Sequence, residues 1–245
     1  INNLSSTGTG GQVIGIASAN TSTVININGN AINTLSTSGA TSAVGGVLIT
    51  GATTTNVFSN TIYGMVASGI TSPLALGVSV QGGTTVNTYG NKIYNISATG
   101  AISTTSPAVV GLNITGGTTV NSYNNLIGDL KAPAANLADA IRGISIPSAT
   151  STTRNIYNNS IYLNASSTGT NFGTSGIFQI ASITATTSAL NLQNNIIVNN
   201  STAAGTGLTV AFRKDNPVFT NNVAASNKNL FYAGVPSASN LILFD

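Results

Sequence analysis

An internal repeat of about 32 residues runs through this chain of 245 residues and restricts it to a few kinds of fold. Two columns of equivalent residues mark the repeat, and both have a mean spacing of 32 residues. The glycine column comprises Gly15, Gly46, Gly77, Gly111, Gly143 and Gly207, with the member near Ile177 displaced. The asparagine column comprises Asn30, Asn60, Asn91, Asn125, Asn159, Asn195 and Asn222. Periods between about 20 and 50 residues are typical of solenoids and other repeat architectures.

Each repeat contains three short extended segments separated by turns. The first segment follows the column glycine and alternates apolar with polar residues, as in residues 78–80 and 112–114. Such alternation is typical of a strand with one buried face. The second segment leads into the column asparagine, and the third starts two residues after it, as at Ile32. Residues 1–4 match residues 32–35, so we expect the chain to begin within a third segment.

These segments are too short to cover a core as separate hairpins, and their Gly, Thr, Ser, Asn and β-branched residues disfavour helices. A coil of three strands per repeat satisfies the backbone, because each strand then pairs in parallel with its equivalent about 4.8 Å away. The sequence therefore predicts an all-β fold, a parallel β-helix or solenoid, with three strands per coil and about seven coils. We expect residues 1–245 to form a single domain, an excerpt of a longer chain.

A second asparagine column lies four residues before the first. Stacked side-chain amides can donate to one another along the axis and can satisfy backbone groups of the turns. Asparagine also tolerates the left-handed conformation that tight corners require. We therefore interpret both columns as structural ladders. The second column comprises Asn26, Asn56, Asn87, Asn121, Asn155 and Asn191.

Charge and composition exclude several classes of function. The chain has seven basic and four acidic residues and lacks His and Cys. We therefore expect no thiol or imidazole catalysis, no zinc site of the usual kind, and no other metal or cofactor. The basic residues are scattered along the sequence, which argues against a nucleic-acid partner. Membrane insertion is not expected either, since no apolar run approaches the roughly 20 residues that span a bilayer.

The carboxylates offer little for catalysis. Glycosidases need two carboxylates within roughly 5–10 Å of each other, and only Asp129 and Asp139, joined by one loop, could approach so closely. We place Asp215 about three coil rises away, on another face. Asp139 and Arg142 are expected to form a solvated ion pair in a loop, where residues 134–142 could hold a helical turn. The sequence therefore predicts no catalytic residue and no enzyme.

Two aromatic columns supply the candidate binding residues. Aromatic rings one coil apart could form a platform for sugar rings, or they could simply stack on one another as a structural ladder, the interpretation that we favour. The sequence does not say which column faces solvent. The first column comprises Phe58, Tyr89, Tyr123 and Tyr157, and the second comprises Tyr63, Tyr94 and Tyr162.

A threonine column raises an alternative, because regular threonine arrays on flat solenoid faces are used by ice-binding proteins. Each of these threonines directly follows another threonine at a turn, so the two hydroxyls need not share a face. The simpler interpretation is that they are turn residues and strand formers. The column comprises Thr54, Thr85, Thr119 and Thr153.

Two stretches resemble known proteins. The Val-Asn-Xaa-Tyr-Asn-Asn-Xaa-Ile pattern at residues 120–127 resembles the right-handed parallel β-helix repeats of the pectate-lyase-like superfamily, which implies a right-handed coil. The calcium-binding carboxylates and basic cluster of the lyases have no counterpart here. Residues 229–245 are similar to a segment of large cell-surface proteins of Bacteroidetes. That resemblance implies export by the type IX secretion system and a role as an adhesin, with a sorting domain beyond Asp245.

The sequence thus favours a non-catalytic structural or adhesive segment of a secreted or cell-surface bacterial protein, which presents loops and aromatic ladders to surfaces or neutral glycans. A cysteine-free, hydroxyl-rich chain suits an extracellular location. One alternative is a carbohydrate-active domain that binds or degrades polysaccharide, and another is an ice-binding solenoid. The expected partners are flanking domains of the same chain or further copies joined end to end, because no capping helix is evident.

Overall fold

The computed structural model describes residues 1–19, 21–100, 107–148 and 152–245. Within these ranges the chain forms β-strands, turns and bends and no α-helix. The strands fall into three parallel sheets, one for each segment of the repeat, and the chain passes through the three in turn. The structure is therefore a parallel β-solenoid of about seven turns, which confirms the all-β fold with three strands per coil.

We name the sheets after the segments that form them. Sheet 1 has eight strands: Gln12–Ser18, Ala43–Ile49, Leu74–Val80, Val109–Ile114, Leu137–Ile146, Phe172–Gln179, Thr209–Lys214 and Asn240–Phe244. Sheet 2 has six strands: Val24–Asn28, Thr54–Phe58, Thr85–Tyr89, Thr119–Tyr123, Thr153–Tyr157 and Ala189–Gln193. Sheet 3 has nine strands: Leu4–Ser6, Ala31–Thr37, Thr61–Ala67, Lys92–Ala98, Leu126–Gly128, Leu130–Lys131, Ser160–Leu163, Ile196–Asn199 and Leu230–Tyr232.

The register places equivalent side chains of successive coils directly over one another. Asn56 pairs with Asn87, for example, and Tyr123 pairs with Tyr157. Leu4 pairs with Leu35, which confirms the match between residues 1–4 and 32–35. Because each position of the repeat becomes a row along the axis, one residue type repeated in the sequence becomes one continuous surface or core feature.

The core is built from isoleucines of sheet 3 that pack against the glycines of sheet 1. A Cβ atom placed on Gly46 would lie 2.5 Å from Cγ2 of Ile62 and 2.6 Å from the carbonyl oxygen of Gly77. Real Cβ atoms do not approach other atoms so closely, so the bare backbone of glycine is what lets the two sheets meet. The isoleucine stack comprises Ile32, Ile62, Ile93, Ile127, Ile161 and Ile197, all buried.

The glycine column departs from the sequence prediction in the last coils. A Cβ on Gly143 would meet the carbonyl oxygen of Gly176 at 2.5 Å, and one on Gly176 would meet that of Ala211 at 2.7 Å. Gly207 instead lies against the backbone of Phe172, outside the column. The prediction of Gly207 is therefore wrong, because a longer turn in that coil shifts the spacing.

A left-handed residue turns the chain from sheet 2 into sheet 3 in every coil. These residues have φ between 54° and 66° and each directly precedes a ladder asparagine. They are Gly29, Ser59, Gly90, Asn124, Asn158, Asn194 and Lys228. The left-handed conformation therefore falls on the residue before the ladder rather than on the ladder asparagine itself.

The first asparagine column forms a buried hydrogen-bonded ladder. The Oδ1 atom of Asn125 accepts from both the backbone N–H and the Nδ2 of Asn91, at 3.1 and 3.0 Å. Nδ2 of Asn125 donates to the carbonyl oxygen of Thr88 at 2.9 Å and to Oδ1 of Asn159 at 3.0 Å. Each amide thus joins three coils and satisfies buried backbone groups of the corner.

The last member of this inner ladder is Asn229, not Asn222. Asn195 donates to Oδ1 of Asn229 through its backbone N–H at 3.0 Å and its Nδ2 at 2.9 Å. Asn222 forms a bridge with Leu190, and its Oδ1 accepts from Nζ of the buried Lys214 at 3.0 Å. The prediction of Asn222 is wrong because an irregular loop replaces the second strand of the seventh coil.

The second asparagine column forms an outer ladder on the outward face of sheet 2, with the opposite polarity. Nδ2 of Asn121 donates back to Oδ1 of Asn87 at 2.8 Å, whereas the inner ladder donates forward along the chain. The same contact links Asn26, Asn56, Asn87, Asn121 and Asn155. Asn191 is in register with Asn155, but its Oδ1 is buried without a hydrogen-bond partner, so the ladder ends at Asn155.

Candidate binding surface

The outward face of sheet 2 carries three parallel rows of uncharged side chains. The outer asparagine ladder lies in the middle, with a threonine row on one side and an aromatic row on the other. Both flanking rows stay in register over four coils, as the sequence predicts. The threonine row comprises Thr54, Thr85, Thr119 and Thr153, and the aromatic row comprises Phe58, Tyr89, Tyr123 and Tyr157.

The aromatic row is a tight stack. Successive ring centroids are 4.9, 4.8 and 5.0 Å apart, and the ring planes differ by no more than 2°. Because the rings cover one another's faces, the row presents ring edges and tyrosine hydroxyls to the outside. Burial, followed by the neighbouring Tyr157 and Tyr89, raises the pKa of Tyr123, so its hydroxyl stays protonated near neutral pH. This geometry confirms a stacked aromatic ladder and leaves no ring face within it free for a sugar.

The second tyrosine column lies on the outward face of sheet 3 and is interrupted. The rings of Tyr63 and Tyr94 stack at 5.2 Å and 3°. The next coil supplies Gly128 at this position, and Gly128 pairs in turn with Tyr162. Tyr94 is 38 % exposed and Tyr162 is 47 % exposed. Both aromatic columns therefore face outward, but only this one leaves ring faces open.

Threonines of two stacked turns line a shallow groove at the edge of sheet 2. The groove has a volume of about 260 Å³, and the side chains of its lining residues carry hydroxyl and methyl groups. It is lined by Thr118, Thr119, Thr152, Thr153, Ala185, Thr186 and Ala189. Of each adjacent threonine pair, the second stands in the strand, and an asparagine rather than a further threonine follows two positions later. The threonine array is thus one residue wide within the sheet.

The two acidic residues that could have formed a catalytic pair lie in different sheets, and each has its own cation. Asp129 forms an exposed ion pair with Lys131 at 2.7 Å beside sheet 3. Asp139 forms a buried ion pair with Arg142 at 2.7 Å in sheet 1. Residues 137–146 form a ten-residue strand. The expected helical turn and solvated loop pair are therefore both wrong, because this stretch joins sheet 1 as an irregular strand.

The Asp139 carboxylate has several partners on neighbouring strands. Ser175 Oγ donates to Asp139 at 2.6 Å, and Arg213 lies 3.7 Å from the same carboxylate. The guanidinium of Arg142 also lies 3.6 Å above the ring of Phe178, a favourable cation–π geometry. Because Arg142, Ser175 and Arg213 belong to three successive strands of sheet 1, their contacts with the carboxylate hold these strands together.

Sequence reasoning missed an apolar groove on the outward face of sheet 1. Its volume is about 350 Å³, and apolar side chains such as Leu76 and Val110 form much of its wall. The signal was available, because apolar residues occupy outward positions of several successive first segments. The lining residues are Ser72, Leu74, Leu76, Pro107, Val110, Asn113, Arg142 and Pro147.

Sequence reasoning also missed a buried arginine. Arg154 is fully buried, and the residues above and below it in its row, Val120 and Leu190, are apolar. Its Nη1 donates to the carbonyl oxygen of Gly117 at 2.9 Å, whereas Nε and Nη2 have no partner. Burial lowers the pKa of Arg154 to about 10, which reflects the cost of keeping its charge away from water.

Replacing Arg154 by leucine is expected to raise the free energy of unfolding by about 1–3 kcal/mol, because an apolar side chain of similar volume removes an unpaired buried charge. Thermal or guanidinium unfolding measures this. Arg142→Leu is the matched control: it leaves Asp139 without its nearest cation and should change stability in the opposite direction. A loss of stability in Arg154→Leu would contradict the interpretation.

In the described part of the chain, no group of three His, Cys, Asp or Glu residues is placed to hold a metal ion. The same residues include no helix of the length and apolarity needed to cross a membrane. The chain matches no protein-family model, no curated protein and no solved structure.

Proposed function

We propose that this chain is a non-catalytic structural and adhesive segment of a secreted or cell-surface bacterial protein, and that its outer faces contact neutral glycans or surfaces. The main support is the outward face of sheet 2, where hydroxyl, amide and aromatic rows run side by side without a charged residue. A regular uncharged surface suits a ligand that repeats and carries no charge. Asp129 and Asp139 each form an ion pair with a basic residue, which fits a role that requires no free carboxylate.

The solenoid would act as a spacer as well as a surface. Parallel strands that repeat about every 4.8 Å give a stiff rod, to which every added coil contributes the same length. The resemblance of residues 229–245 to cell-surface proteins of Bacteroidetes supports type IX export and an adhesin role. Flanking domains of the same chain, or copies joined end to end, would then pair with the strand edges of the terminal coils.

Retention on insoluble cellulose, chitin and xylan tests the adhesive role. We expect binding that changes little between low and high salt, since the contacting face is uncharged. The double variant Thr85→Asp/Thr119→Asp places two charges on that face and should weaken binding about tenfold, or ~1.4 kcal/mol. Thr71→Asp, in an exposed loop between sheets 3 and 1, is the control and should bind normally. Unchanged binding by the double variant, or release of soluble sugars, would contradict the proposal.

A further inference from the structure

The tyrosine row of sheet 3 is interrupted between Tyr94 and Tyr162, where one coil has a glycine instead of a tyrosine. Gly128 occupies the row position between Tyr94 and Tyr162, which belong to the preceding and following coils. Since one coil advances about 4.8 Å, the positions of the two tyrosines are roughly 10 Å apart along the axis. A ring placed midway would lie about 5 Å from each tyrosine, close to the 5.2 Å that separates Tyr63 from Tyr94. The gap therefore has the thickness of one ring.

The glycine itself is not covered by a neighbouring ring. A Cβ atom on Gly128 would have only two atoms within 4 Å, the carbonyl oxygen and the Cβ of Tyr162, so no ring atom lies directly beside the glycine backbone. Tyr94 is supported from behind by its stack with Tyr63, which leaves its other face toward the gap. Gly128 does not have a left-handed φ, so its backbone does not call for glycine.

The surroundings of the gap combine an apolar side with a polar one. Leu126, two residues before Gly128, is 51 % exposed. On the other side Asp129 and Lys131 form an ion pair whose side chains are each about half exposed, so both keep hydrogen-bonding capacity toward solvent. A ligand here would meet the tyrosine rings on either side of Gly128, with the apolar Leu126 and the Asp129–Lys131 donor and acceptor close by in the chain.

We infer that this gap, the Gly128 slot, binds one pyranose ring of a neutral glycan between Tyr94 and Tyr162. Two aromatic faces require a ligand that is apolar on both sides. A pyranose whose hydroxyls are all equatorial meets that requirement, because its axial C–H bonds project from both faces. A sugar with an axial hydroxyl presents a polar group to one tyrosine. The inference rests on the proposed contact with neutral glycans and specifies the sugar class and the residues.

Calorimetric titration tests the slot with three soluble probes. Cellotetraose carries only equatorial hydroxyls, mannotetraose has an axial hydroxyl on every ring, and phenol is a planar aromatic. We expect cellotetraose to bind at least tenfold more tightly than either of the others. Tyr162→Ala should weaken cellotetraose binding at least tenfold. Tyr232→Ala, which removes a similarly exposed tyrosine of the same row two coils beyond Tyr162, should leave it unchanged.

A second variant fills the slot instead of removing a wall. Gly128→Tyr would complete the tyrosine row and should abolish cellotetraose binding, with a melting curve to verify folding. Equal binding of cellotetraose by wild type and Tyr162→Ala would overturn the slot, as would tighter binding of phenol. If the slot is overturned in this way but Thr85→Asp/Thr119→Asp still loses retention on insoluble glycans, only the slot is refuted, and the proposed function is retained.

Discussion

Asn125→Ala is expected to lower the free energy of unfolding by about 4 kcal/mol or more. The substitution removes four hydrogen bonds that join three coils and leaves the backbone N–H of Asn91 and the carbonyl oxygen of Thr88 buried without partners. Each buried polar group left unpaired costs about 1–3 kcal/mol. Guanidinium unfolding followed by circular dichroism measures the loss.

Asn121→Ala is a matched control in the same coil. Asn121 belongs to the outer ladder, where its amide exchanges single hydrogen bonds with Asn87 and Asn155 on a half-buried face. We expect a loss of about 1 kcal/mol, since water can replace these partners. Equal losses in the two variants would show that the burial of the inner ladder and its hydrogen bonds to backbone groups do not make it contribute more to stability than the outer ladder.

Gly46→Val is the second substitution expected to destabilise the protein strongly, by at least about 4 kcal/mol. Its Cβ would lie 2.5 Å from Cγ2 of Ile62 and 2.6 Å from the carbonyl oxygen of Gly77, so sheets 1 and 3 would have to separate locally. The separation would also disturb Ile62, which is fully buried in the isoleucine stack. The midpoint of thermal unfolding reports the effect.

Gly8→Val provides the comparison. A Cβ on Gly8 would meet no atom within 4 Å, so we expect a change smaller than about 1 kcal/mol. If Gly46→Val were as stable as Gly8→Val, the close approach of the two sheets would not require glycine, and the glycine column would need another explanation.

The repeat predicted the fold because most coils differ little from one another. Wherever a column keeps its residue type at a spacing of 30 to 36 residues, as the asparagines do from Asn30 to Asn195, pairing in the structure follows the sequence. Prediction failed in the coils where a strand is replaced or a turn is lengthened. Asn222 and Gly207 were chosen by spacing alone, whereas pairing selects Asn229 and Ala211 for these positions.

The candidate site was less accessible to prediction than the fold. The tyrosine column could be read from the sequence, but stacking distance and exposure decide which faces are open. The sequence gives an aromatic column from Phe58 to Tyr157 and another on either side of Gly128, but it does not say how closely the rings of each column stack. Arg154 is different, because the apolar residues Val120 and Leu190 at equivalent positions of the repeat do indicate that this position points into the core.

The opposite polarity of the two asparagine ladders has an electrical consequence. Every primary amide is a dipole, and a row of them pointing one way along a rod would build a field between its tips, as aligned peptide groups do in a helix. Here one row points forward and the neighbouring row points backward, so the two contributions oppose each other. Each coil that carries both asparagines therefore adds much less to the axial dipole than a single ladder would.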